Sequence, residues 1–206
     1  MAERETRLTD RVAFLISAAA SPFITVSACA LAVIATHTPS LAEAARYALP
    51  FLALTIALPG AWILVGVRTG RFTDPHVMLR EQRAEPFMVA NVGALGLVLV
   101  YVGLHAPVAL QATAANMLAN GLVFMLITRF WKVSIHAAAY AASVLVASVL
   151  VHPSVAWLGL GFPLVVWSRL RRQRHSLAQA LVAAAMVTAS TVVVLSAFGL
   201  LGMRGM

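Results

Sequence analysis

Acidic residues are missing from most of this chain: all seven lie at or before Glu85, and residues 86–206 contain none. This absence argues against enzymes that hold Mg²⁺ between two carboxylate clusters, such as aspartate-rich prenyltransferases and CDP-alcohol phosphotransferases. Cys29 is the single cysteine, so the sequence predicts neither a disulfide framework nor a cysteine metal site. Charged residues make up only 11% of the chain, too few to cover a soluble domain of this size.

Hydrophobic residues dominate the chain instead: they make up 61% of its 206 residues and form runs long enough to cross a bilayer. We therefore predict an all-α, polytopic membrane helix bundle with about six to seven transmembrane helices in a single domain, residues 1–206. The first run is longer than the core of a signal peptide, and we expect it to span the membrane. The candidate spans are about 12–36, 47–67, 87–104, 109–128, 134–151, 154–167 and 176–202.

The basic residues are distributed unevenly over this topology. Seven spans place thirteen of the fifteen Arg and Lys residues on one side of the membrane, with only Arg46 and Arg204 on the other. The positive-inside rule then predicts that the N-terminus and the basic loops face the cytoplasm, in what we expect to be a bacterial cytoplasmic membrane. Anionic membrane lipids are the expected partners of these short clusters, rather than nucleic acid.

Three polar segments share that face, namely 74–86, 129–136 and 168–179. Arg129, Lys132 and His136 are spaced to lie on one side of a helix, and so are Arg171 or Arg172, His175 and Gln179. Each of two helix N-termini would thus carry cations followed by a histidine. The free N–H groups at a helix N-terminus also favour the binding of phosphate.

The third segment, "SRLRRQRHSLAQ", resembles the SRxxxxxHxxxD signature of the type-2 phosphatidic acid phosphatase superfamily. Ser168, Arg169 and His175 match at the correct spacing, and Gln179 replaces the aspartate. "VSIH" at 133–136 resembles the Pro-Ser-Gly-His signature and keeps Ser134 and His136.

The signature KxxxxxxRP is matched only loosely. Arg83 fits its arginine, His76 takes the place of the lysine, and Pro86 is displaced by two positions. Arg80 is a substitute cation in this segment.

The resemblance implies a phosphatase that cleaves a phosphate or diphosphate monoester of a lipid through a phosphohistidine. His175 would be the nucleophile and His136 the general acid, and Gln179 would orient His175. No metal and no cofactor is implied, because the phosphoryl oxygens would be bound by cations and hydroxyl groups. The residues implied in phosphate binding are Arg80, Arg83, Lys132, Ser134, Ser168 and Arg169.

Other interpretations use the same residues. Gln179 brings no charge, so a weakly active or inactive relative that binds a lipid phosphate without cleaving it is the alternative. A phosphohistidine would also permit transfer to another acceptor. Taken singly, the arginines at 169–174 are typical of membrane-edge anchors. A transporter would usually carry ionisable groups within its spans, whereas here they stop at the edges.

Overall fold

The computed structural model is all-helical over the residues that it describes, 81% of which lie in helices. It describes residues 2–74, 79, 82 and 84–202, with side chains from residue 7 onward, and this part contains no β-strand. In chain order, the helices are α1 (Ala2–Ala19), α2 (Pro22–Thr36), α3 (Leu41–Phe51), a π-helical segment (Leu52–Ala57), α4 (Leu58–Arg68), α5 (Ala84–Gly103), α6 (Val108–Thr128), α7 (Ile135–Leu150), a 3₁₀ segment (Pro153–Gly161), α8 (Phe162–Arg171) and α9 (Leu177–Ala197).

Within the described residues, four continuous helical stretches are long and apolar enough to cross a membrane. They are Leu41–Arg68, α5, α6 and α9. A fifth candidate is formed by Arg7–Ala19 together with α2, a pair bent by 40°. These helices are compatible with an integral membrane protein. They confirm the all-α prediction, but the count of six to seven spans is not confirmed.

The two remaining predicted spans are short for simple reasons. The run at 134–151 forms α7, whose 16 residues extend about 24 Å, less than the roughly 30 Å of a hydrocarbon core. The run at 154–167 divides into the 3₁₀ segment and the first part of α8, since Pro153 and Gly161 interrupt regular α-helix. At this break, the hydroxyl of Tyr140 donates to the carbonyl oxygen of Leu158 at 2.6 Å.

The helix from Leu41 to Arg68 is continuous but not regular. Pro59 lacks the N–H that would bond back one turn, and the π-helical segment precedes it. There the carbonyl oxygen of Leu54 approaches α5 so closely that a Cβ atom on Gly93 would collide with it. A glycine at position 93 is therefore what allows the two helices to pack.

Contacts between helix ends define two poles of the bundle. At one pole, which we call the arginine end (residues 128–136 and 168–179), the backbone N–H of Ser134 donates to the carbonyl oxygen of Gln179 at 3.2 Å. At the opposite pole, His37 Nε2 donates to the carbonyl oxygen of Leu150 at 2.8 Å. Helices α7 and α9 both begin at the arginine end and pack side by side, and α8 ends there in contact with both.

The packing of α7, α8 and α9 rests on small side chains. Ala137, Val166 and Ala180, one from each helix, form a buried cluster directly below the arginine end. Ala137 and Ala180 are completely buried. Because alanine lets helix backbones approach closely, this junction fixes the positions of the polar residues just above it.

Candidate functional site

The start of α7 holds the residues of the second signature. Ser134 is the N-cap residue, and its hydroxyl oxygen accepts the N–H of Ala137 at 3.4 Å. Ser134 is completely buried, whereas His136 and Lys132 are half-buried. The serine therefore acts as a buried helix cap, and the histidine lies in the first turn beyond it.

The end of α8 holds Ser168 and Arg169. Ser168 is completely buried and donates its hydroxyl proton to the carbonyl oxygen of Val165 at 2.7 Å. Arg169 is only 7% exposed, which is unusual for a charged side chain, and its carbonyl oxygen accepts the N–H of Arg174 at 3.0 Å. That bond folds the chain back and brings His175 to the start of α9.

The start of α9 is a capping box. Ser176 accepts the N–H of Gln179 through its hydroxyl oxygen at 3.2 Å, and its own N–H donates to Gln179 Oε1 at 3.1 Å. The sequence pattern Ser-x-x-Gln predicts this motif, but sequence reasoning placed Gln179 on the helix face of His175 and in the position of the signature aspartate, and not in a helix cap.

Gln179 also fixes the protonation pattern of its neighbour. His175 Nδ1 lies 3.3 Å from the same Oε1 atom. A backbone N–H can only donate, so the atom that faces Ser176 must be the amide oxygen, and His175 must donate to it from Nδ1. A neutral His175 then carries its lone pair on Nε2, the form that a nucleophile requires.

These elements bring the second and third signatures together. The bond from Ser134 to Gln179 joins the first turns of α7 and α9, and the Ala137–Val166–Ala180 cluster holds the end of α8 against both. His136 and His175, 39 positions apart in the sequence, therefore lie on adjoining helix starts. The predicted site residues His76, Arg80 and Arg83 lie outside the described residues.

The first loop is described only in part. Arg71 pairs with Glu85 and lies over the ring of Trp62, 5.5 Å from its centre. Glu85, in the first turn of α5, is thus engaged by a cation of the preceding loop. Among the described residues, no three His, Cys, Asp or Glu side chains come together as a metal site would require.

Sequence reasoning missed the contribution of the N-terminal helix. Arg169 Nη1 donates to the hydroxyl of Ser17, and Arg171 forms an ion pair with Asp10 at 2.9 Å. The guanidinium of Arg172 lies over the ring of Phe14, 5.0 Å from its centre. The spacing of Asp10, Phe14 and Ser17 indicates one helical face, but nothing in the sequence connects that face to residues 169–172.

The arginine end has a concentrated positive charge. Burial, and to a smaller extent the charge of Arg174, lower the pKa of Arg172 below its ordinary value. An anion close to Arg172 and Arg174 would offset the repulsion between their like charges.

A shallow cavity of about 740 Å³, largely open at the surface of the bundle, lies along α7 and α9 and begins one helical turn from His136. Its walls are largely small and apolar, with few hydroxyl groups. Residues that line it include Tyr140, Val144, Ser148, Phe162, Ala185 and Thr188. The cavity shares the two helices whose starts carry the histidines.

Comparison of the chain with protein-family models, with curated proteins and with solved structures gives no match.

Proposed function

We propose that the protein is a membrane-embedded lipid phosphatase, similar in mechanism to the type-2 phosphatidic acid phosphatases, that acts on a phosphate or diphosphate monoester. The observation that carries this proposal is the hydrogen bond from Ser134 to Gln179. It holds together two helix starts, each of which bears a histidine in its first turn or directly before it.

The proposed chemistry is an in-line displacement at phosphorus. Nε2 of His175 forms the P–N bond as the bond from phosphorus to the leaving oxygen breaks, and His136 gives its proton to that oxygen. The leaving oxygen is the lipid alcohol oxygen of a phosphate monoester, or the bridging oxygen of a diphosphate. Water activated by His136 then attacks the phosphohistidine, which releases phosphate and restores neutral His175. The Nδ1–H of His175 remains bonded to Gln179 Oε1 throughout.

Cations stabilise the charge that develops on the equatorial oxygens. We assign to this group Arg169, in the last turn of α8, and Lys132, in the connection between α6 and α7. Arg80 and Arg83 of the first loop are proposed to join them. Ser134 and Ser168 support the site differently. As buried residues bonded to backbone groups, they hold the helix ends in place.

The same site supports a second candidate, a relative that binds a lipid phosphate without cleaving it. Two observations favour it. Gln179 orients His175 but supplies no negative charge to stabilise the imidazolium, and the two signature serines are fully buried rather than open to a ligand. In either case, the lipid headgroup would meet the arginines.

The proposed topology has seven membrane segments, of which α7 and the α8 region are two. It would place the arginine end at the cytoplasmic leaflet of a bacterial membrane. The phosphate of a lipid substrate lies at that depth, and the basic residues are concentrated there.

Phosphate release from phosphatidate and from a polyprenyl diphosphate, measured without added metal, tests the function. We expect the purified wild type to be active and His175→Ala and His136→Ala to lose about 10³-fold or more in rate. His152→Ala, a histidine at the opposite pole, is the matched control and should retain full activity. If the wild type binds these lipids but releases no phosphate, the binding-only candidate is correct. If it neither binds nor cleaves them, both candidates fail.

A further inference from the structure

The N-terminal helix contacts the arginine end through one face. Asp10, Phe14 and Ser17 lie at spacings of four and three residues, so they form a single stripe along α1. Each contacts a different arginine of α8 or its C-terminal cap: Ser17 contacts Arg169, Asp10 contacts Arg171 and Phe14 contacts Arg172. Helix α1 thus packs against the residues of the third signature.

These three contacts differ in burial. The ion pair of Asp10 with Arg171 is open to solvent, with side chains 58% and 38% exposed, and such pairs contribute little to stability. Ser17 is 1% exposed, and Ala13, one turn before it, is completely buried. The contact between Ser17 and Arg169 is therefore the buried one of the three contacts that join α1 to α8 and its cap.

The other face of α1 suits a membrane surface. Leu8, Val12 and Leu15 are exposed and form an apolar stripe. Arg7–Ala19 and α2 together would extend about 45 Å if straight, more than the roughly 30 Å of a hydrocarbon core, and the pair bends by 40° between them. Because the pair is longer than the core, the first turns of α1 can lie at the depth of the lipid headgroups while the rest of the pair crosses the membrane.

We propose that Ser17 is a positioning residue for the phosphate site, and that α1 packs against α8 and thereby holds Arg169 in its binding orientation. This inference rests on the proposed function. A guanidinium is planar, with five donors in a fixed arrangement, so holding Nη1 at the Ser17 hydroxyl fixes the directions of the other donors. Arg169 is also joined through its carbonyl oxygen to Arg174, next to His175.

The test compares Ser17→Ala with Ser17→Thr, which keeps the hydroxyl, in the full-length protein acting on phosphatidate in detergent micelles. We expect Ser17→Ala to raise KM about tenfold and to change kcat less than about twofold, since the loss of one bond to a charged group weakens binding by that order. Ser17→Thr should restore most of the affinity. If the protein binds without cleaving, Kd for phosphatidate replaces KM.

Ser27→Ala, which removes a half-buried hydroxyl from α2, is the matched control and should leave KM unchanged. In an Arg169→Gln background, Ser17→Ala should have no further effect, because the hydroxyl acts through that guanidinium. Ser17→Cys replaces the hydroxyl oxygen with a larger sulfur atom that accepts hydrogen bonds weakly, so it fills the site and gives the same comparison if the alanine variant does not fold.

An unchanged KM in Ser17→Ala, or the same increase in the Arg169→Gln background, would overturn the role of Ser17 while leaving the proposed function standing. A wild type that neither binds nor cleaves phosphatidate or a polyprenyl diphosphate would overturn both, and this result is visible without any variant.

Discussion

The backbone N–H of Ser134 donates to the carbonyl oxygen of Gln179 across a distance of 3.2 Å, which fastens the start of α7 to the first turn of α9. Ser134 caps the start of α7, and Gln179 closes the capping box at the start of α9, so each residue also stabilises the first turn of its own helix. Together with the buried cluster of Ala137, Val166 and Ala180, this hydrogen bond sets the relative position of the helix starts that carry His136 and His175.

Gln179→Glu should increase activity. Glutamate preserves the capping box, since its carboxylate can accept the N–H of Ser176, and it adds a negative charge beside His175. In a serine protease, exchanging the carboxylate next to the catalytic histidine for an amide costs about 10⁴ in rate, so we expect kcat to rise at least about tenfold here. The measurement is kcat for phosphate release in the two proteins.

Gln179→Ala serves as the control for that gain. It removes both the cap and the partner of His175, and should cost about 1 kcal/mol in stability together with most of the activity. A folded Gln179→Glu protein that is no faster than the wild type would show that residue 179 does not assist His175 in the reaction.

Ala180→Leu should destabilise the junction of α7, α8 and α9. Ala180 is completely buried against Ala137 and Val166, and inserting a larger side chain into such packing costs about 1–3 kcal/mol. Thermal unfolding in detergent measures the loss as a lower Tm. Ala178→Leu adds the same side chain at an exposed position two residues earlier and should leave Tm nearly unchanged.

Gly93→Ala should be destabilising, although alanine normally favours a helix. The added Cβ would collide with the carbonyl oxygen of Leu54, a backbone atom that cannot rotate away. We expect Tm to fall by roughly 5 °C. In Gly96→Ala, the new Cβ would lie 3.5 Å from a side-chain atom of Leu54, an ordinary contact, so this control on the same helix should match or exceed the wild type. Equal behaviour of the two variants would contradict the close contact of α5 with the π-helical segment.

The orientation can be tested with single cysteines in a Cys29→Ala background. Gln173 is exposed at the arginine end, and Leu41 is 88% exposed at the opposite pole. In intact bacterial cells treated with a membrane-impermeant thiol reagent, Leu41→Cys should be labelled and Gln173→Cys should be protected until the cells are broken. The reverse pattern would place the arginine end outside the cytoplasm.

Much of the fold follows from composition and spacing. Apolar runs bounded by turns predict α5, α6 and α9 closely, because a membrane segment needs only sufficient length and hydrophobicity. The same rule misses the π-helical segment before Pro59, the bend at Ala20–Ser21 and the 3₁₀ segment at Pro153. These breaks depend on which backbone groups find partners, and the partner of Leu158, for instance, is the hydroxyl of Tyr140.

The residues of the candidate site, too, could be predicted from the sequence only in part. Motif spacing identifies His175, Arg169 and Gln179, and the capping box at Ser176 can be recognised from sequence as well. Ser17 and Asp10 could not be found, since their contacts with α8 join residues more than 150 positions apart. Such pairing arises from the packing of the bundle and leaves no local pattern.

The most direct test of the account is to look for the phosphoryl group on His175. Wild-type protein mixed with a radiolabelled lipid phosphate should be stopped within one turnover at alkaline pH, which preserves phosphohistidine, and its peptides analysed by mass spectrometry. We predict phosphate on Nε2 of His175, more of it in His136→Ala if water attack is slowed more than the first step, and none in His175→Ala. Phosphate release with His175 unmodified at every time point, or labelling that persists in His175→Ala, would contradict the proposed mechanism.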